Sequence, residues 1–108
     1  MNTEEQISNL LKPSFFLGSV YATPGFVEAC GSMDVVETRS IELISRHAAG
    51  DWGDVCTEDA VQNFNAAKSK GMILSAYTIA ASAGRTVKVW VQTDPGHKTT
   101  TILLPSEH

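Results

Sequence analysis

Basic clusters are missing from this 108-residue chain: eight Lys and Arg are scattered among twelve Asp and Glu, for a net charge of −4. Neutralising a phosphate backbone takes grouped cations, so a nucleic-acid partner, while open, has no support from charge. No apolar run approaches the roughly 18 residues of a membrane helix, and no membrane partner is expected. The opening Met1-Asn2-Thr3-Glu4-Glu5-Gln6 lacks the basic and apolar regions of a secretory leader. Cysteine is scarce too. Without a leader, Cys30 and Cys56 are expected as reduced thiols in the cytoplasm, not as a disulfide. There is no phosphate-cradling G-x-x-x-x-G-K-[ST] loop and no G-x-G-x-x-G, so no cofactor is expected. No Cys-x-x-Cys or His-x-x-x-His pair occurs, so no metal is expected, and Cys30, Cys56, His47, His97 and His108 read as buried thiols and surface histidines.

What is present is ordinary globular material. Hydrophobic residues make up 43% of the chain and charged residues 19%, enough to fold one domain and to set disorder aside. Ile7, Leu10 and Leu11 at helical spacing before Pro13 predict a short arm over residues 1–13, leaving 14–108 as a single domain. Phe15 to Tyr21 is an apolar stretch read as one extra strand. Thr23-Pro24-Gly25 is a helix start, with Gly31 closing a short helix. A longer helix is expected from Met33 to His47, with Ile41, Ile44 and Ala48 on its inner stripe and Val35 and Val36 earlier along it. Thr57 is expected to cap a third helix ending at Gly71, in which Val61, Phe64 and Lys68 share a face.

After Gly71 the period changes from 3.6 to 2. Met72–Ile79, Thr86–Thr93 and Lys98–Leu104 are rich in Val, Ile, Thr, Tyr and Trp, as strands prefer. Val87, Val89 and Val91 point one way, and Lys88, Trp90 and Gln92 the other. Asp94-Pro95-Gly96-His97 fits a type II turn. The fold class is therefore α+β: two or three helices packed on a three-stranded antiparallel meander.

Two polar groupings are candidate sites. Arg46-His47 followed by Gly50-Asp51-Trp52-Gly53-Asp54 sets an imidazole near a carboxylate and an aromatic wall, as general acid/base catalysis requires. The same residues suit a helix C-terminus and a turn in which Trp52 plugs the core and an aspartate bonds local backbone. His97, on the last hairpin, precedes Lys98 and three threonines, with Lys88 and Trp90 on the neighbouring strand. A histidine, a lysine and hydroxyls on one sheet face can grip a phosphodiester, and equally threonine suits strands and lysine blunts edges. The candidate catalytic residues are His47 and His97. The candidate binding residues are Asp51, Trp52, Lys88 and Trp90. A pocket lined by Trp52, Tyr77 and Trp90 is the small-molecule alternative.

From Thr23-Pro24-Gly25 through Arg46-His47, Gly50-Asp51-Trp52-Gly53, Asn63, Leu74-Ser75-Ala76-Tyr77 and Val89-Trp90-Val91 to Thr100-Thr101-Ile102-Leu103-Leu104-Pro105, the chain resembles a group of short bacterial proteins. These proteins are often plasmid-borne, and the likeness covers roughly residues 17–105. It implies a mobile-element cargo protein, and the absence of a chemical motif together with the apolar and aromatic content of the N-terminal arm, notably Phe15 and Phe16, points to a non-enzymatic accessory protein that acts through a protein partner or self-association. The order of elements, with a histidine on the last hairpin, is also similar to barnase-like ribonucleases and related toxins. That likeness implies metal-independent RNA cleavage by His97 and His47. The chain departs from it in having no carboxylate on Met72–Ile79, and Lys88 where an arginine would serve.

Overall fold

The structure, a computed structural model, describes residues 15–108; the arm expected over 1–13 lies outside them. Strand β1 (Ser19–Ala22) leads into α1 (Pro24–Cys30), α2 (Met33–Ala48) and α3 (Thr57–Ser69). The chain then runs through β2 (Ile73–Ala80), β3 (Thr86–Thr93) and β4 (Thr99–Leu103). The class is α+β as expected. The sheet has four strands in the order β1-β4-β3-β2, the meander plus the extra N-terminal strand, which starts at Ser19 and not at Phe15. The last three strands form the antiparallel meander, and β1 joins β4 in parallel.

Local chemistry sets the helix ends. The Thr23 hydroxyl accepts from the Phe26 N–H, Pro24 opens α1, and Gly31 closes it with φ +84°. Glu107, just beyond the last strand, accepts from the Thr23 hydroxyl (2.6 Å) and the Gly25 N–H (3.0 Å). These bonds hold its carboxyl below the usual carboxylate range and tie the end of the meander to the start of α1. Thr57 is the first residue of α3, and Cys56 occupies the cap without a side-chain bond.

The alternation expected of the strands is observed. Ile73, Ser75, Tyr77 and Ile79 of β2 face inward with Val89, Val91 and Thr93 of β3 and Thr100 and Ile102 of β4. Phe26 and Cys30 of α1 and Val36 and Leu43 of α2 complete this core. Each large apolar side chain buried here stabilises the fold by about 1.5–3 kcal/mol. The face of α2 differs from the sequence expectation at one position. In α2 the buried positions are Val36, Leu43, His47 and Ala48, and Ile41 is exposed. In α3 the buried residues are Asn63 and Ala66, so Val61 and Phe64 lie in water, with the Lys68 ammonium 4.5 Å from the Phe64 ring centroid. The cause is Asn63, which uses its amide on the sheet and turns its own face inward. Its Nδ2 donates to the Leu74 C=O (2.8 Å), and its Oδ1 accepts from the Leu74 N–H (3.1 Å).

This pair of bonds seals the edge of β2. Asn63→Ala leaves both Leu74 groups unpaired and is expected to cost about 1–3 kcal/mol in urea denaturation. Val61→Ala, on the exposed face of the same helix, should stay within about 0.5 kcal/mol of the parent.

Candidate functional site

His47, at the C-terminal end of α2, is fully buried. Its Nδ1 lies 2.6 Å from the Ser75 hydroxyl and its Nε2 lies 2.8 Å from the Thr93 hydroxyl. Thr93 is in turn 2.8 Å from the Thr100 hydroxyl, which donates to the Leu17 C=O at 2.7 Å. Proton counting orients the whole chain. The single hydroxyl proton of Thr100 is committed to Leu17, so Thr93 must donate to Thr100. Thr93 then has only lone pairs for His47, so Nε2 carries the proton and Nδ1 accepts from Ser75. Burial, with His97 nearby adding repulsion, pulls the His47 pKa down to about 4, so the neutral ring that this scheme needs is the one present at neutral pH.

An aromatic shell closes over this relay. Phe15 meets the His47 ring edge-on at 5.2 Å between centroids, and Trp52 does so at 6.0 Å. Phe15 also lies 5.4 Å from His97. Phe15 is thus a core residue and not a contact residue, whereas Phe16 is 76% exposed. His97 is buried as well. Its Nε2 donates to the Gly71 C=O at 2.8 Å, and the Gly96 N–H donates to the Lys70 C=O at 2.8 Å. The last hairpin is thereby clamped to the turn after α3. The type II turn is as expected, with Gly96 at φ +89° and the His97 N–H donating to the Asp94 C=O at 2.9 Å. His47 and His97 are therefore not the surface histidines of the sequence reading, and Cys56, read as a buried thiol, is exposed while Cys30 is buried.

Asp51 belongs to a second assembly. The Arg46 guanidinium grips its carboxylate through Nε (2.6 Å) and Nη2 (3.3 Å) and stacks 4.5 Å over the Tyr77 ring centroid. That hydrogen bond holds the Asp51 carboxyl below its ordinary range and raises the Arg46 pKa. The Tyr77 hydroxyl donates to the Asp51 C=O at 2.6 Å, and burial pushes this phenol up to about 12. The loop continues into an isolated parallel bridge that sets Gly53 beside Ala76 of β2. The Ala76 N–H donates to the Trp52 C=O (3.1 Å) and the Asp54 N–H to the Ala76 C=O (2.7 Å). Gly53 sits here at φ +71°, where a Cβ would come within 2.0 Å of the Ala76 oxygen; no other residue fits.

The six candidate residues do not converge. His47, Asp51 and Trp52 are neighbours on one side of the sheet, and His97 lies beside them, in contact with Phe15 and near enough to His47 to repel its charged form. Trp90 and Lys88 lie on the opposite face, where Lys88 pairs with Thr78 and Trp90 meets the His108 ring at 5.2 Å. Tyr77 faces inward and Trp90 outward, so no pocket holds both with Trp52. Trp52 instead borders a cavity of about 250 Å³ with Ala49, Gly50, Phe64, Ala67 and Lys68. Among the described residues no group of three or more His, Cys, Asp or Glu side chains could hold a metal ion, and no helix is long and apolar enough to cross a membrane. Compared with protein-family models, curated proteins and solved structures, the chain matches none.

The relay carries a pH signature. His47 titrates near 6.5 when unfolded and about 4 when folded, so its contribution is complete above pH 6.5 and is lost as pH falls towards 4. By linkage the loss over that window is about 3 kcal/mol. Urea denaturation across the window should show this slope in the parent and a much shallower one in His47→Gln. A parent whose stability is flat between pH 6.5 and 4 would contradict neutral burial.

Proposed function

We propose that the chain is a non-enzymatic interaction module, an accessory protein of a mobile genetic element that works through protein contacts. One observation carries the non-enzymatic part. Both candidate catalytic imidazoles, His47 and His97, are buried, and His47 has each ring nitrogen committed to a hydroxyl. A general base must reach the proton it removes, and these two face the interior. Arg46 is likewise paired with the Asp51 carboxylate through Nε and Nη2, which neutralises the nearest phosphate-binding cation. The mobile-element part rests on the resemblance running from Thr23-Pro24-Gly25 to Leu104-Pro105. Contact function is supported by the apolar side chains left in water, among them Ile41, Val61 and Phe64, each more than half exposed.

Incubating the purified protein with RNA in EDTA tests the reading against the ribonuclease alternative. The expected result is no cleavage above a mock preparation. Cleavage that disappears in His97→Gln, with the fold retained by circular dichroism, would replace this reading with the enzymatic one.

A further inference from the structure

The two edges of the sheet are treated differently. At β2 the edge groups of Leu74 are taken by Asn63, those of Ala76 by the 52–54 segment, and the Thr78 hydroxyl by Asp54 at 3.2 Å. At β1 nothing comparable occurs among the described residues. The Ser19 N–H donates to the Lys98 C=O and the Thr23 N–H to the Ile102 C=O, both at 3.0 Å. In a parallel ladder alternate residues face the neighbouring strand, so Ser19, Tyr21 and Thr23 bond β4. The N–H and C=O of Val20 and Ala22 therefore point outward, without a partner among the described residues. The strand Ser19-Val20-Tyr21-Ala22 is exposed along its whole length and has no charge or proline. Native edges are ordinarily blunted by such residues or covered, as β2 is here.

We propose that β1 pairs antiparallel with β1 of a second copy of this chain, about a twofold axis beside Tyr21, joining two four-stranded sheets into one. The proposal deepens the interaction-module reading and rests on it. The register follows from the free groups. Setting Val20 opposite Ala22 of the second copy, and the reverse, uses every outward N–H and C=O of both strands in four hydrogen bonds. Centring on Val20 instead would use only half of them. Tyr21 then opposes Tyr21 of the second copy at a non-hydrogen-bonded position, where side chains approach most closely. That contact covers a ring that is 57% exposed in the single chain. A second copy is the occupant chosen because an isologous edge is its own complement and needs no other sequence.

Light scattering on the full chain reads the result directly. Twice the monomer mass is expected, with return to monomer in Tyr21→Lys, which sets like charges opposite each other. The same return is expected in Val20→Pro, which removes an outward N–H that β4 does not use. In a Cys56→Ser background, Tyr21→Cys should give a disulfide-linked dimer on mild oxidation, and this variant keeps the test decisive if Val20→Pro fails to fold. A monomeric parent, a dimer that survives Tyr21→Lys, or no cross-link at residue 21 would each overturn the pairing. A monomer without ribonuclease activity refutes the edge pairing alone; RNA cleavage refutes the underlying reading whatever the mass.

Discussion

One imidazole joins most of the described fold. Through His47, α2 is bonded to β2 at Ser75 and β3 at Thr93, and the hydroxyl chain carries on to β4 at Thr100 and to the segment before β1 at Leu17. All four side chains are fully buried. A buried hydroxyl or imidazole left unpaired costs about 1–3 kcal/mol, so each partner makes the others obligatory. The relay also selects a register. Sliding any one strand by a residue would send its hydroxyl to the opposite face and leave the remaining members without a proton or a lone pair.

The surrounding residues protect this arrangement. Phe15 and Trp52 cover the ring and keep water from competing for its nitrogens. Arg46, next in sequence, turns the other way and locks Asp51, whose backbone C=O in turn anchors the Tyr77 hydroxyl. From Asp51 the chain continues into the short bridge that covers β2. The loop that looks most catalytic therefore works as a brace between the end of α2 and one edge of the sheet. The same brace, together with Asn63, closes that edge of the sheet.

Much of the architecture is legible from periodicity. The change from a 3.6 to a 2 residue period at Gly71, the Thr23-Pro24-Gly25 start and the Asp94–His97 turn all place elements within a residue or two. The parallel pairing of β1 with β4 is not legible, because Ser19-Val20-Tyr21-Ala22 is short and its partner lies some 80 residues along the chain. The face of α2 misleads for a specific reason: apolar spacing assigns Ile41 inward, whereas His47, like Asn63 in α3, occupies an inner face through hydrogen bonds that hydropathy does not score. The partners of His47 did leave a trace. Ser75, Thr93 and Thr100 fall in inward-facing rows otherwise filled by Ile, Val and Tyr, and a polar residue in such a row needs a buried partner. Which partner it meets depends on the crossing of α2 over the sheet, which local sequence does not specify.

The central claim is that His47 is a neutral, Nε2-protonated structural bridge. Nitrogen-15 NMR of the imidazole rings tests it most directly, because the two ring nitrogens report their protonation separately. The account predicts a His47 ring with a slowly exchanging proton on Nε2, a bare Nδ1, and no titration until the pH approaches about 4. A His47 ring that titrates near 6.5, or that carries its proton on Nδ1, would contradict the relay and reopen the case for a catalytic histidine.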